Sequence, residues 1–255
     1  MSHVILKETE GIATLSIYRP EAYNALNREI VDEIDKVIEY VRKNDDIRAL
    51  IIHSEKNFAA GADIKDMIHC DEEEAKKFAF SGTFNKIEDL KIPTLAAISG
   101  YALGGGLELA LTCDLRIASK DAKLGFPETG LGIMPGAGGT ARTPRLIGKA
   151  KAMELILLAS IIDADEALKI GLVNRISDPE KLLEDAMKWA KKLSTGAPIA
   201  LQTAKQVINE GLVQRNIKDA VANEARYWAN LFTTEDQKEG MAAFLEKRKP
   251  QYKGK

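Results

Sequence analysis

Hydrophobic and polar positions alternate at period two over residues 4–7 and 12–18, on either side of Thr9-Glu10-Gly11. Alternation places apolar side chains on one strand face, and two such runs around a glycine-containing break predict a hairpin. The period then lengthens. Ile30, Ile34, Val37, Ile38 and Val41 recur at helical spacing behind Asn27, a residue suited to capping a helix start. Ala49-Leu50-Ile51-Ile52 shows no alternation and is bounded by charge, which predicts a fully buried strand. A turn of small residues follows at Phe58-Ala59-Ala60-Gly61-Ala62-Asp63. A helix is predicted over residues 72–90. The buried strand Thr94-Leu95-Ala96-Ala97-Ile98 comes next and stops at Gly100 and Gly104-Gly105-Gly106. A helix over 107–112 and a strand over 115–118 complete this part.

From about residue 149 the pattern is almost wholly helical: 150–158, 179–193, 197–210, 217–232 and 236–248. Gly171-Leu172-Val173 is the one strand-like interruption. Strands alternating with helices define an α/β architecture with mainly parallel crossovers. The length of 255 residues suits one large domain with an appendage. We therefore divide the chain into a sheet-bearing core, 1–195, and a C-terminal helical region, 196–255, able to pack on a partner subunit.

Composition narrows the function classes. A formal net charge of −2 argues against nonspecific binding to nucleic acid or anionic membranes, which needs a basic face. Cys70 and Cys113 are the only cysteines, so no disulfide framework is expected. The sparse cysteines lead us to expect a reducing, cytoplasmic setting, and the opening Met1-Ser2-His3-Val4 lacks a basic region followed by an apolar stretch, so no secretory leader is expected. Residues 92–113 approach the length of a membrane span and are mostly apolar. They also hold Pro93, four glycines and Glu108, which fit a buried strand, a tight turn and a core helix better.

Two carboxylates lie beside glycine-rich backbone. Glu108 closes Gly104-Gly105-Gly106-Leu107-Glu108, and Glu128 stands in Gly125-Phe126-Pro127-Glu128, shortly before Pro135-Gly136-Ala137-Gly138-Gly139. Carboxylates move protons, and bare glycine backbone brings N–H groups close to a developing oxyanion. The apolar neighbours of Glu108 imply a buried carboxylate, which is costly without a partner. Each feature also has a structural explanation. The glycines could form a tight packed turn, Glu108 could pair with Arg116 or Arg142, and Glu128 could be a solvated loop charge. The turn at 58–63 could supply a second N–H donor, and two such turns at strand ends suit a ligand crevice.

Other chemistry is not signalled. Gly136-Ala137-Gly138-Gly139-Thr140-Ala141 matches the dinucleotide pattern formally, yet Pro135 precedes it and Pro144 is expected to interrupt its helix. There is no G-x-S-x-G elbow and no C-x-x-C, and His3, His53 and His69 show no metal spacing.

Phe58-Ala59-Ala60-Gly61-Ala62-Asp63-Ile64, the run from Gly100 to Glu108, and Phe126-Pro127-Glu128 through Gly139 resemble the enoyl-CoA hydratase/isomerase, or crotonase, superfamily. The match runs from Arg19-Pro20 and Asn24-Ala25-Leu26-Asn27 to the segment Glu239 to Pro250. The resemblance implies the ClpP/crotonase-like α/β fold, with repeated ββα units and a C-terminal helical trimerisation region. It implies a homo-oligomer, a trimer or a hexamer built as a dimer of trimers. It implies an acyl-CoA thioester substrate, with coenzyme A part of that substrate, and neither a metal nor a redox cofactor. Carried over by motif, the N–H groups of Ala62 and Gly105 form the oxyanion hole, and Glu108 and Glu128 are the acid/base pair. Backbone around Ala60, Gly61, Ala62, Asp63 and Ile64 contacts the CoA moiety, and the N–H of Gly136 helps position water.

The chemistry implied is addition of water to a 2-enoyl thioester, as in fatty acid metabolism, with no nucleic acid or membrane as partner. Glutamate at both positions favours hydration, because members of the superfamily share the oxyanion hole and vary the acid/base groups. Two other readings are carried. One is double-bond isomerisation of a 3-enoyl-CoA. The other is RNA binding, which would need a basic helix, whereas residues 28–43 interleave Glu29, Asp32, Glu33, Asp35 and Glu39 among their bases. Ala141 departs from the family, where a polar residue is common. Residues 67–80 and 134–141 are expected to shape the acyl pocket.

Overall fold

The computed structural model describes residues 2–255, apart from the side chain of Lys77. Met1, where the leader reading begins, lies outside the described residues. Strands β1 (Val4–Thr9) and β2 (Ile12–Ile17) form the predicted hairpin. Glu10 and Gly11 between them both have positive φ, the twist that a two-residue turn between right-twisted strands requires. Helix α1 (Arg28–Lys43) starts where the Asn27 side chain accepts the Ile30 N–H at 2.9 Å. Its residues Ile30, Val31, Ile34, Ile38 and Val41 are buried.

The main sheet adds β3 (Ala49–His53), β4 (Thr94–Ile98), β6 (Leu115–Ser119) and β9 (Arg175–Ser177). Its order is β1-β2-β3-β4-β6-β9, parallel everywhere except at the hairpin. A three-stranded sheet is made of β5 (Tyr101–Leu103), β7 (Lys123–Gly125) and β8 (Ile161–Asp163). A single bridge from Ala59 to Ala102 adjoins β5. Strand pairs therefore recur before short helices, including α2 (Ile64–Met67) and α5 (Gly105–Leu111).

Period two explains why the central strands are apolar throughout. Leu50, Ile52, Ala96 and Ile98 enter the main core with α1, whereas Ala49, Ile51, Leu95 and Ala97 face the opposite side. There α8 (Leu182–Ser194) covers them with Leu182, Ala186 and Ala190. A sheet buried on both faces leaves its strand ends as the place for a ligand crevice.

Three features differ from the sequence reading. The helix predicted over 72–90 is two helices, α3 (Glu72–Lys77) and α4 (Ser81–Glu88). Phe80 is drawn into the core against Phe84, with ring centroids 6.0 Å apart, and its N–H turns to Phe78 O. The gain from burying Phe80 outweighs helix continuity. Pro144 does not stop a helix either. Helix α6 (Gly139–Leu157) runs through it and breaks at Gly148, whose φ is 79°. Finally, Gly171-Leu172-Val173 is no strand. Gly171 ends α7 (Ala164–Lys169), and the N–H groups of Leu172 and Val173 both reach Ala167 O. The strands in this region are β8 and β9.

The C-terminal part holds α9 (Pro198–Val213), α10 (Ile217–Leu231) and α11 (Glu235–Leu245). Helices α9 and α10 pack on each other, yet neither buries a single residue. Among the described residues no helix is long and apolar enough to cross a membrane.

Candidate active site

The two N–H groups expected to meet an oxyanion come from different strand ends. Leu26 forms an isolated parallel bridge with Ala62. The bridge uses the carbonyl of Gly61, at 2.7 Å from Leu26 N, and the N–H of Asp63, at 2.8 Å from Leu26 O. This register leaves the N–H of Ala62 itself unspent. The second N–H, that of Gly105, opens α5, where a helix has no internal acceptor to offer. Neither N–H donates to an acceptor among the described residues.

The triple glycine divides its labour. Gly104 has φ 48°, and a Cβ there would come within 2.7 Å of Glu128 Oε1. A Cβ on Gly106 would collide with the Ala59 carbonyl, so that glycine serves packing. Gly105 is different. Its Cβ would stand 3.5 Å from Ala62 N and 4.0 Å from Glu108 Oε2, in the space between donors and carboxylate.

Glu108 is 3% exposed. Its Oε1 accepts the N–H groups of Ala137 and Gly139, each at 2.7 Å, and not a cation. Arg116 is instead spent on the carbonyls of Cys113 and Leu172, and Arg142 pairs with Glu88 at 2.7 Å. The donors lie at the start of α6, where unpaired N–H groups and the helix dipole favour a carboxylate. Burial raises the pKa of Glu108, while the Gly139 and Ala137 N–H groups and the charge of Arg142 oppose it.

Glu128 sits in a 3-10 turn, Pro127–Leu131, and is 9% exposed rather than solvated. Its Oε2 is buried and has no hydrogen-bond partner among the described residues. Burial, with the charge of Glu108 added, pushes its pKa up to about 7. The two carboxylates thus differ: one is held by two N–H donors, and the other is left in apolar surroundings suited to a neutral acid.

Both glutamates line one cavity of about 370 Å³ with Ala60, Gly61, Ala62, Ile64, Gly105 and Gly136. Met67, Phe78, Phe80, Leu131, Ile133 and Met134 make its apolar portion. Segments 67–80 and 134–141 both contribute to the lining. Asp63 stands apart. Its carboxylate pairs with Arg19 at 2.7 Å and caps α2 through the Lys65 N–H, so it braces the turn and does not line the cavity.

The sequence reading missed the donors from Ala137 and Gly139. A Gly-Gly pair at a helix start would have signalled them, but the expectation that Pro144 ends the helix hid that start. The sequence reading also missed His3, Glu29 and Glu33, whose ligand atoms lie within 4.8 Å of one another. None of the three lines the cavity, and Glu33 Oε2 already accepts the N–H groups of His3 and Val4.

The raised pKa of Glu128 has a measurable consequence for stability. Below its ordinary value of 4.5 both folded and unfolded chains hold the proton, and the group contributes nothing. Between 4.5 and about 7 only the folded chain keeps it, so stability falls as pH rises, and above 7 the loss is complete. Glu128→Gln is therefore expected to raise the thermal midpoint at pH 8 and leave it unchanged near pH 4. An unchanged midpoint at pH 8 would show that Glu128 ionises without penalty.

Two buried carboxylates and two residues with unspent N–H groups thus line one cavity of an α/β scaffold, an arrangement able to move protons beside a carbonyl. The chain belongs to the enoyl-CoA hydratase/isomerase family, whose model matches residues 7–255. It is 45% identical over 253 residues to a short-chain-enoyl-CoA hydratase of Clostridium acetobutylicum, covering 98% of this chain and 97% of that one. It is also 45% identical over 254 residues to a crotonyl-CoA hydratase of Syntrophomonas wolfei, with the same coverage. The crystal structure of an enoyl-CoA hydratase from Bacillus anthracis superposes with a TM-score of 0.95 at 37% identity, covering 99% of this chain and 100% of that one. The fold is accordingly the crotonase fold with a helical C-terminal region.

Proposed function

We propose that the protein is an enoyl-CoA hydratase, a hydro-lyase that adds water reversibly and syn across the double bond of a trans-2-enoyl-CoA. The product is a 3-hydroxyacyl-CoA. The observation that carries this reading is the convergence of Glu108 and Glu128 on one cavity beside the free N–H groups of Ala62 and Gly105. The thioester carbonyl docks on those N–H groups, which oppose the charge that builds on its oxygen as water attacks. Two preorganised donors stabilise such an oxyanion by about 3 kcal/mol each. Glu108, fixed by Ala137 and Gly139, takes the proton from water attacking the β-carbon. Glu128, whose buried carboxyl keeps its proton up to about pH 7, delivers a proton to the α-carbon.

The mechanism needs neither a metal nor a redox cofactor, since coenzyme A arrives as part of the substrate. The reaction places the enzyme in lipid metabolism, and we assign it to the cytoplasm. Backbone from Ala60 to Ile64, of which Ala60, Gly61, Ala62 and Ile64 line the cavity, contacts the CoA moiety, and Gly136 N–H helps position the water. The Asp63 side chain holds the turn through Arg19 and the Lys65 N–H.

Helices α9–α11 expose Leu212, Val213, Ile217, Trp228, Phe244 and Leu245. Apolar area of this kind supports a homo-oligomer formed through residues 196–255, a trimer or a dimer of trimers. The solution mass is expected at three or six times 28.0 kDa. A monomer at micromolar concentration would refute that assembly.

Initial rates on matched 2-enoyl and 3-enoyl thioesters test the reaction class. Hydration of the 2-enoyl substrate as the dominant turnover supports the hydratase. Migration of the 3-enoyl double bond as the dominant turnover would make the protein an isomerase instead.

A further inference from the structure

Glu108 is held by a loop, and that loop is itself held by one side chain. The Arg142 guanidinium, 11% exposed, donates Nη1 to the carbonyl of Ala137 at 2.9 Å. From the same group, Nε and Nη2 reach Glu88 Oε2 at 3.1 and 2.7 Å, and Nη2 also reaches Asn85 Oδ1 at 2.7 Å. Ala137 thus gives its N–H to Glu108 and receives Arg142 on its carbonyl. The fit is close. A Cβ on Gly138, the residue of φ 113° that immediately precedes α6, would collide with Arg142 Nη1. The guanidinium fills the space that the glycine leaves.

We infer that Arg142 is a positioning residue. It pins the Ala137–Gly138–Gly139 backbone to α4, so that the two N–H groups stay aimed at Glu108 Oε1. A planar fork suits this task, because it reaches a carboxylate, an amide oxygen and a backbone carbonyl at fixed angles. The other end of the clamp lies on α4, which begins directly after the cavity residues Phe78, Ala79 and Phe80. The clamp therefore joins the acyl wall to the base. A lysine supplies the charge without the fork and cannot hold Glu88, Asn85 and Ala137 together.

This inference rests on the hydratase reading only for its kinetic test, so two measurements are paired. In Arg142→Lys and Arg142→Gln, kcat on crotonyl-CoA is expected to fall about 10- to 100-fold, as for a slightly misplaced catalytic group. KM is expected to change by less than about threefold, because the substrate contacts remain. Glu88→Gln, which keeps the bond to Ala137, is expected to lose much less. Amide exchange over residues 136–140 needs no reaction. It is expected to accelerate about tenfold in Arg142→Lys while the sheet strands keep their protection. Unchanged exchange in that segment, in a folded variant, overturns the clamp whatever the enzyme catalyses. Faster exchange with wild-type kcat in an active enzyme overturns its catalytic consequence. Wild-type protein inert towards crotonyl-CoA would count against the hydratase reading, and the exchange result would still decide the clamp.

Discussion

Glu108→Gln is expected to lower kcat for crotonyl-CoA hydration by about 10³-fold, within the range that general acid–base groups supply. The substitution is nearly isosteric. A glutamine carbonyl oxygen can still accept the N–H groups of Ala137 and Gly139, which meet Glu108 Oε1 at 2.7 Å, so the loop and the fold should persist. What disappears is the group that takes a proton from water. KM should therefore move little, and the loss should sit in kcat. Steady-state kinetics with circular dichroism on the same sample reads both. A folded variant with near-native kcat would remove Glu108 from the chemistry.

The second large effect is expected from Gly105→Ala, and it runs against stability. Gly105 begins α5 with an ordinary helical backbone, where alanine is favoured over glycine by up to about 1 kcal/mol. The new methyl would lie 3.5 Å from Ala62 N and 4.0 Å from Glu108 Oε2, ordinary contact distances in the free protein. The fold should be kept or slightly strengthened. The thioester oxygen, however, needs that same space to reach the two N–H groups. Loss of such an oxyanion contact costs about 10²- to 10³-fold, so kcat/KM should fall by at least that much at an unchanged or higher thermal midpoint. Retained activity would place the oxyanion elsewhere.

Much of the scaffold was legible in the residue pattern because its strands are buried on two faces or alternate cleanly. The runs at 49–52 and 94–98, the hairpin and the Asn27 cap all follow from local rules. Glu108 was legible for a related reason, since a charge inside an apolar helix is costly without a partner, whereas Glu128 by itself read as a loop charge and entered through the family resemblance. The misses share one cause, namely tertiary contacts overriding local preference. Phe80 breaks a helix to reach Phe84. Pro144 sits within α6 although its missing N–H costs a bond, because the start of that helix is fixed on Glu108. That same fixation hid Ala137 and Gly139, whose side chains say nothing about where their N–H groups point. Arg142 was visible only as one possible ion-pair partner, and its pairing with Glu88 spans 54 residues. Asp63 stands in the expected segment yet turns to Arg19, a distinction that sequence cannot make.

The most direct measurement is the fate of crotonyl-CoA incubated with the wild-type protein in deuterium oxide and followed by NMR. Addition of water with proton delivery by Glu128 should give a 3-hydroxybutanoyl thioester carrying one deuterium at the α-carbon. Absence of the hydroxyacyl product, or a double bond migrated to the 3-position with the deuterium at the α-carbon and no oxygen at the β-carbon, would contradict hydration as the function.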